Sequence, residues 1–166
     1  MSVGPRNVAF QTCPMKIGLI SDTHGLLRPE ALAALQGCEH IVHAGDIGKP
    51  EILDALRSLA PLTVVRGNND EGLDWATELP HQATLQLGSV GLYVVHELAH
   101  VPAQLPEGIR VVVTGHSHKP LIEERDGHLW INPGSAGPRR FKLPISVARL
   151  HIEESSAHAE LVMLAV

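Results

Sequence analysis

Short apolar runs that stop abruptly in glycine, aspartate, asparagine or histidine recur along this chain. The first is Ile17-Gly18-Leu19-Ile20, which ends in Ser21-Asp22-Thr23-His24-Gly25. Runs of this length bounded by turn residues read as buried strands. Three further stretches take the same form: Val42 to Asp46, Val64 to Asp70, and Val111 to His118. Two helices fall between the early runs. Pro29 to Leu35 opens on a proline, which suits a first helical turn, and Gly37 marks its end. Pro50 to Leu59 carries Ile52, Leu53, Leu56 and Leu59 on one face. With Ile41–Ala44 and Leu62–Val65 as the second and third strands, this alternation predicts βαβ units.

The second half changes character. Ala83–Leu87 and Val90–Val95, joined by Gly88-Ser89, predict a hairpin. Residues 98–108 read as a polar, proline-bearing connection or an irregular helix, and Val111–Thr114 as another strand. Pro120–Glu124 and His128–Ile131 flank Asp126-Gly127, a strong hairpin turn. Ile145–Ile152 and Ala159–Val166 predict a final antiparallel pair. Helices among the early strands, with mostly strands afterwards, predict an α/β (α+β) chain with a two-sheet core and helices outside. A single Rossmann-like sheet fits this order less well. With no repeat, linker or low-complexity tract, one domain is expected over residues 15–166, behind a flexible tail at 1–14.

Composition narrows the function. A length of 166 residues is enough for a sizeable core, and the formal charge of −5 provides no basic footprint for nucleic acid. That ranks a nuclease low. It does not exclude phosphorylated substrates, because bound cations invert the local field. Cys13 and Cys38 form neither a disulfide framework nor a zinc pattern, so a reducing, cytoplasmic setting is expected, with Cys38 packed as a small hydrophobe. No run reaches membrane-spanning length, and the first residues do not read as a signal peptide.

The polar residues that end the apolar runs are Asp22, His24, Asp46, Asn68, His96, His116 and His118. Imidazole, carboxylate and carboxamide without thiolate suit Mn²⁺, Fe²⁺, Zn²⁺ or Ni²⁺. Seven donors exceed a tetrahedral zinc site and fit two ions sharing a carboxylate. Paired ions about 3.5–4 Å apart serve phosphoryl chemistry. In Asp22-x-His24 and His116-x-His118, alternate residues share one side if the backbone is extended. Each piece has a plainer reading. Asp22 could cap a helix, and Gly45-Asp46 or Gly67-Asn68-Asn69-Asp70 could be simple turns. Four such endings in one short chain favour a metal centre, since buried polar groups need partners. His43, inside a strand, reads as a satisfied core histidine. His96-Glu97-Leu98-Ala99-His100 matches the H-E-x-x-H zinc protease pattern, but that chemistry needs a helix and here a strand runs straight into His96.

The ordered set Asp22-Thr23-His24, Gly45-Asp46, Gly67-Asn68-Asn69-Asp70, His96 and Gly115-His116-Ser117-His118 resembles the calcineurin-like metallophosphoesterases. Asn132-Pro133-Gly134-Ser135 is similar to the small branch typified by the YfcE phosphodiesterase, which includes the retromer scaffold subunit. The resemblance implies a four-layer αββα sandwich of two mixed sheets flanked by helices. It implies one ion on Asp22, His24 and His118, a second on Asn68, His96 and His116, and Asp46 bridging them. Mn²⁺ is the expected metal, with Zn²⁺, Fe²⁺ or Ni²⁺ as alternatives. Water or hydroxide between the ions would attack phosphorus in line, in a small phosphodiester or phosphomonoester. Many relatives place a leaving-group acid where this chain has Asn69, which favours diesters with good leaving groups. Relatives usually read His-Gly where this chain has His96-Glu97. Asp70 is expected to orient its loop, and Arg139 or Arg140 is a candidate phosphate contact. The alternative is a non-catalytic scaffold that keeps the metal site. The resemblance also leaves room for a homo-oligomer, dimer or tetramer.

Overall fold

A computed structural model describes residues 14–166. The tail expected at 1–14, and with it Cys13, lies outside the described residues except for Pro14. Ten strands form two five-stranded mixed sheets. The first sheet holds β1 (Met15–Ile20), β2 (His40–His43), β3 (Leu62–Val64), β9 (Ser146–Glu153) and β10 (Ser156–Met163), in the order β10-β9-β1-β2-β3. The second holds β4 (Gln82–Leu87), β5 (Val90–Val95), β6 (Ile109–Val113), β7 (Leu121–Arg125) and β8 (His128–Asn132), in the order β4-β5-β6-β8-β7. Strands β1, β2 and β3 run parallel, as do β5, β6 and β8. The outer pairs are antiparallel.

The layers follow from strand alternation, which sends successive side chains to opposite faces. Ile17 and Leu19 of β1, with Ala148, Leu150 and Ile152 of β9, face inward. They meet Leu92 and Val94 of β5 and Val111 and Val113 of β6, forming the apolar seam between the sheets. On the other face of the first sheet, Ile20, Ile41, Val64 and Val147 pack against α1 (Pro29–Ala34) and α2 (Pro50–Arg57). Gly18 sits under α1, where an added Cβ would come within 2.6 Å of Leu35. A bare backbone there lets the helix close on the sheet. Helix α2 buries Ile52, Leu53 and Leu56, the stripe that its spacing predicts. Cys38 is buried in this layer.

The outer face of the second sheet is covered more thinly. Tyr93, Val95 and Val112 pack beneath Val101, Leu105 and Trp130. Residues 98–108 contain one 3-10 turn, Leu98–His100, and are otherwise irregular. Several expected boundaries shift. The last strand begins at Ser156 rather than residue 159, because Glu153 pairs with Ser156 around a two-residue turn. Glu154 makes that turn at φ 54, a conformation for which a glutamate provides no sequence signal. Strand β6 starts two residues earlier than its apolar run, at Ile109. No helix among the described residues is long and apolar enough to cross a membrane.

Leu150 is fully buried between the sheets. Leu150→Ala is expected to lower stability by about 2–5 kcal/mol in denaturant unfolding, while leaving the number of ions bound per folded molecule unchanged.

Candidate metal centre

The carboxyl ends of parallel strands from both sheets open onto one place, where ligands bind in open α/β sheets. Strand β1 leads into Ser21–Gly25, β2 into Ala44–Ile47, β3 into Gly67–Asp70, β5 into His96-Glu97, and β6 into Thr114–His118. Backbone hydrogen bonds stitch these loops together. The N–H groups of Asp22, His24 and Gly25 donate to the carbonyls of Gly45, Asp46 and Ile47 at 3.0, 3.0 and 2.8 Å. Gly115 N–H donates to the His96 carbonyl at 2.9 Å, joining β6 to β5.

These turns are sharp. Asp22, His24, Asp46, His116 and His118 adopt φ values of 56, 44, 57, 70 and 62°. Left-handed backbone costs an L-residue about 1–2 kcal/mol, and such residues cluster at functional sites. Asp and His tolerate it better than branched residues do. The strain is held by buried hydrogen bonds. Asp70, fully buried, accepts from the N–H groups of Ile47, Gly48 and Gly67 at 3.0, 3.3 and 2.9 Å. It therefore orients two loops, as expected. His43 accepts from Gly45 N–H at Nδ1, 3.1 Å, which leaves its proton on Nε2 to donate to Thr23 Oγ1 at 3.0 Å. Thr23 in turn donates to the Ile47 carbonyl. His43 is thus a satisfied core histidine, and burial pushes its pKa down from 6.5 to about 4 against the pull of the Asp22 charge.

The seven predicted side chains converge. Asp22 Oδ1 lies 3.3 Å from His118 Nε2, 3.7 Å from His24 Nε2 and 3.9 Å from His96 Nε2. His24 Nε2 and His118 Nε2 are 3.3 Å apart. Asp46 Oδ2 stands between the two halves, 3.7 Å from His24 Nε2 and 3.2 Å from His96 Nε2. Asn68 Oδ1 lies 3.0 Å from His96 Nε2 and 3.1 Å from His116 Nδ1. Among the described residues, two groups of three gather donor atoms closely enough to hold an ion: Asp22, His24 and His118, and Asp46, His96 and His116.

The chemistry of this donor set fits cations. Asp22 Oδ2 is anchored by the Ser21 hydroxyl at 2.6 Å and by His116 N–H at 3.1 Å. Its other oxygen, Oδ1, is buried without a hydrogen-bond partner and faces three imidazoles. A bare buried carboxylate oxygen is costly unless a positive charge meets it. Burial pushes the Asp22 carboxyl upward, but the imidazoles of His118 and His24 outweigh it and hold the group well below the usual carboxylate range. Asp46 behaves likewise. Burial raises it, and His96 with the Asn69 N–H brings it down. His96 feels burial downward and Asp46 and Asp22 upward, and ends raised. Both carboxylates are therefore ionised, acceptor-only groups at neutral pH.

Several positioning residues carry no chemical signature in the sequence. Asn132 donates to the Gly115 carbonyl and Ser117 Oγ, both at 3.0 Å, and accepts from Gly134 N–H. Ser135 Oγ donates to the Asp22 carbonyl at 3.0 Å. The Asn132–Ser135 stretch thus clamps the first and last donor loops. Asn69 secures Asp46 with its backbone N–H at 2.8 Å and its side-chain amide at 3.2 Å. Arg139 donates to the Val166 carbonyl. The H-E-x-x-H letters make no protease. His96 is buried in the cluster, His100 is exposed, and no α-helix joins them.

Residues 15–155 match the calcineurin-like phosphoesterase superfamily domain. A protein of Methanothermobacter thermautotrophicus named "Probable metallophosphoesterase" is 34% identical over 163 residues, covering 89% of this chain and 92% of the relative. The solved structure of Yfce, a phosphoesterase from E. coli, has a TM-score of 0.66 at 25% identity, over 90% of this chain and 100% of that one. Vacuolar Protein Sorting 29 from Cryptosporidium parvum shares the fold at a TM-score of 0.72 and 17% identity, over 92% of this chain and 99% of that one. The chain belongs to the calcineurin-like phosphoesterase superfamily. With a dinuclear donor geometry at its strand ends, it is a metal-dependent hydrolase.

Two outcomes test the loop packing. An added Cβ on Gly67 would lie 2.2 Å from the Asp46 backbone nitrogen and Oδ1, although its φ of −90° is ordinary. Gly67→Ala should cost roughly 1–3 kcal/mol in denaturant unfolding and weaken divalent-ion binding in a titration. For His43, the unfolded ring titrates near 6.5 and the folded ring near about 4. Between these values the unfolded state binds more protons, so stability falls as pH drops across the interval, by roughly 3 kcal/mol in total. Unfolding of metal-free protein from pH 6.5 to 4 should show this, with a slope one proton shallower in His43→Gln.

Proposed function

We propose that this chain hydrolyses small phosphodiesters at a dinuclear centre carried by one domain spanning residues 15–166. Asp22, His24 and His118 would hold one ion, Asn68, His96 and His116 the other, and Asp46 would be shared. The observation that carries the reading is the unbroken series of donor atoms from His118 through Asp46 to His116, around a buried Asp22 oxygen with no other partner. Mn²⁺ is the preferred ion, with Zn²⁺, Fe²⁺ and Ni²⁺ equally compatible with a set of imidazole, carboxylate and carboxamide without thiolate. Divalent ions on these donors supply Lewis acidity toward phosphoryl oxygens and a water acidic enough to react near neutral pH.

The chain's own side chains fix the rest. Asp22 and Asp46 remain ionised because neighbouring imidazoles and N–H groups hold their protons off. Asn69 is committed to Asp46 and has no proton to give a leaving group. A water oxygen bonds to phosphorus and gives up a proton to solvent, the ester P–O bond breaks, and the departing oxygen takes its proton from solvent. Substrates whose leaving group is stable as an anion are therefore favoured. A diester is preferred over a monoester because it brings a single negative charge and asks less of a missing acid. A reducing, cytoplasmic setting fits the free, buried Cys38.

The test is hydrolysis of bis(4-nitrophenyl) phosphate by protein loaded with Mn²⁺. Asp46→Asn and His118→Ala should each lower kcat/KM by about 100-fold or more, with fewer ions retained. Wild-type turnover preserved in both variants would overturn the assignment. A wild type that binds ions without hydrolysing monoesters or diesters would mark a binding module instead.

A further inference from the structure

Four histidines surround the candidate centre, and their outward ring nitrogens are treated differently. His96 Nδ1 lies 2.7 Å from the Ala44 carbonyl, which holds that ring from behind. His118 Nδ1 is buried without a partner, and the ring itself is only 3% exposed, so packing holds it. His116 has neither a backbone carbonyl nor burial: its side chain is 47% exposed. It faces Asn68 Oδ1 with Nδ1, at 3.1 Å, and the same oxygen lies 3.0 Å from His96 Nε2. Nδ1 is therefore the edge turned toward the donor set. The opposite edge, Nε2, lies 3.3 Å from Glu97 Oε1.

From this geometry we infer that Glu97 is a positioning residue for His116, orienting the ring toward an ion in the outer half of the centre. The inference rests on the dinuclear reading above. A neutral imidazole carries one proton. The negative charge beside Nε2 favours the tautomer that keeps the proton on that edge and leaves the Nδ1 lone pair facing the other donors. Carboxylates behind metal-binding histidines act in this way, and their loss typically costs 10–100-fold in metal affinity. On its far side, Glu97 Oε2 lies 3.2 Å from the exposed His100 Nδ1. The contact with His116 gives the Glu of the H-E-x-x-H letters a role without a protease. The inner half needs no such brace. Its carboxylate, Asp22, is anchored by Ser21 and the His116 N–H, and two of its three side chains are essentially buried.

Metal-free full chain is titrated with Mn²⁺, following free ion by electron paramagnetic resonance. Wild type should bind two ions. Glu97→Ala should weaken one of the two sites by about 10-fold or more and leave the other unchanged, and the same-sized variant Glu97→Gln should weaken that same site. In Zn²⁺-loaded protein, the His116 ring N–H proton should be downfield and slow to exchange by nuclear magnetic resonance in wild type, and lost to exchange in Glu97→Ala. Two-site binding within twofold of wild type in Glu97→Ala, or an equal fall at both sites, would overturn the role of Glu97 while leaving the dinuclear centre standing. Fewer than two ions in wild type would instead overturn the dinuclear reading itself.

Discussion

The convergence of two ionised carboxylates with several imidazoles at one place is the constraint on which this structure turns. Asp22 Oδ1, Asp46 Oδ2 and the ring nitrogens of His24, His96 and His118 each lie within 3.9 Å of at least two of the others. Nothing in the surrounding protein neutralises them fully, and Asp22 Oδ1 has no partner at all. An arrangement that protein contacts leave incomplete is one that cations complete. A buried carboxylate costs several kcal/mol unless it is paired, so the fold must hold these groups together by other means until an ion arrives.

Those means lie one layer behind the donors. Asp70 gathers three backbone N–H groups from two loops. His43 and Thr23 tie the loop after β2 to the loop after β1 through side-chain hydrogen bonds. Asn132 and Ser135 clamp the last donor loop to the first. Each of these residues is buried, and each satisfies backbone groups that would otherwise be orphaned where strands end. Five left-handed donor residues persist because this layer over-determines them. Pre-organisation of this kind moves the cost of gathering charge from the moment of binding to the moment of folding.

The two-sheet architecture makes that layer possible. Each sheet contributes parallel strands whose carboxyl ends point the same way. The apolar seam locks the sheets face to face, so donors from β1, β2 and β3 meet donors from β5 and β6. A single sheet would spread the same loops along one edge. The halves of the centre are not equivalent. Asp22 and His118 are sealed in, whereas His116 stands at the surface beside Glu97. Asymmetry between a closed and an open half leaves one face of the centre open to solvent.

Sequence alone determined most of the elements and which side chains gather at the strand ends. Apolar runs ending in Asp, Asn or His mark both the strands and the chemistry, because a buried strand must stop where polar groups begin. The stripe of Ile52, Leu53 and Leu56 and the Asp126-Gly127 turn were legible for the same local reasons. The Glu154 turn was not, since nothing in a glutamate announces a positive φ. Nor were the roles of Asn132, Ser135 and Glu97 legible. Each acts on a residue brought near by the fold, and Ser135 reaches Asp22 across 113 positions. Hydrogen bonds act over about 3 Å in space, whatever the separation along the chain. Which atoms face one another, and which oxygen is left bare, was therefore settled only when the two sheets closed.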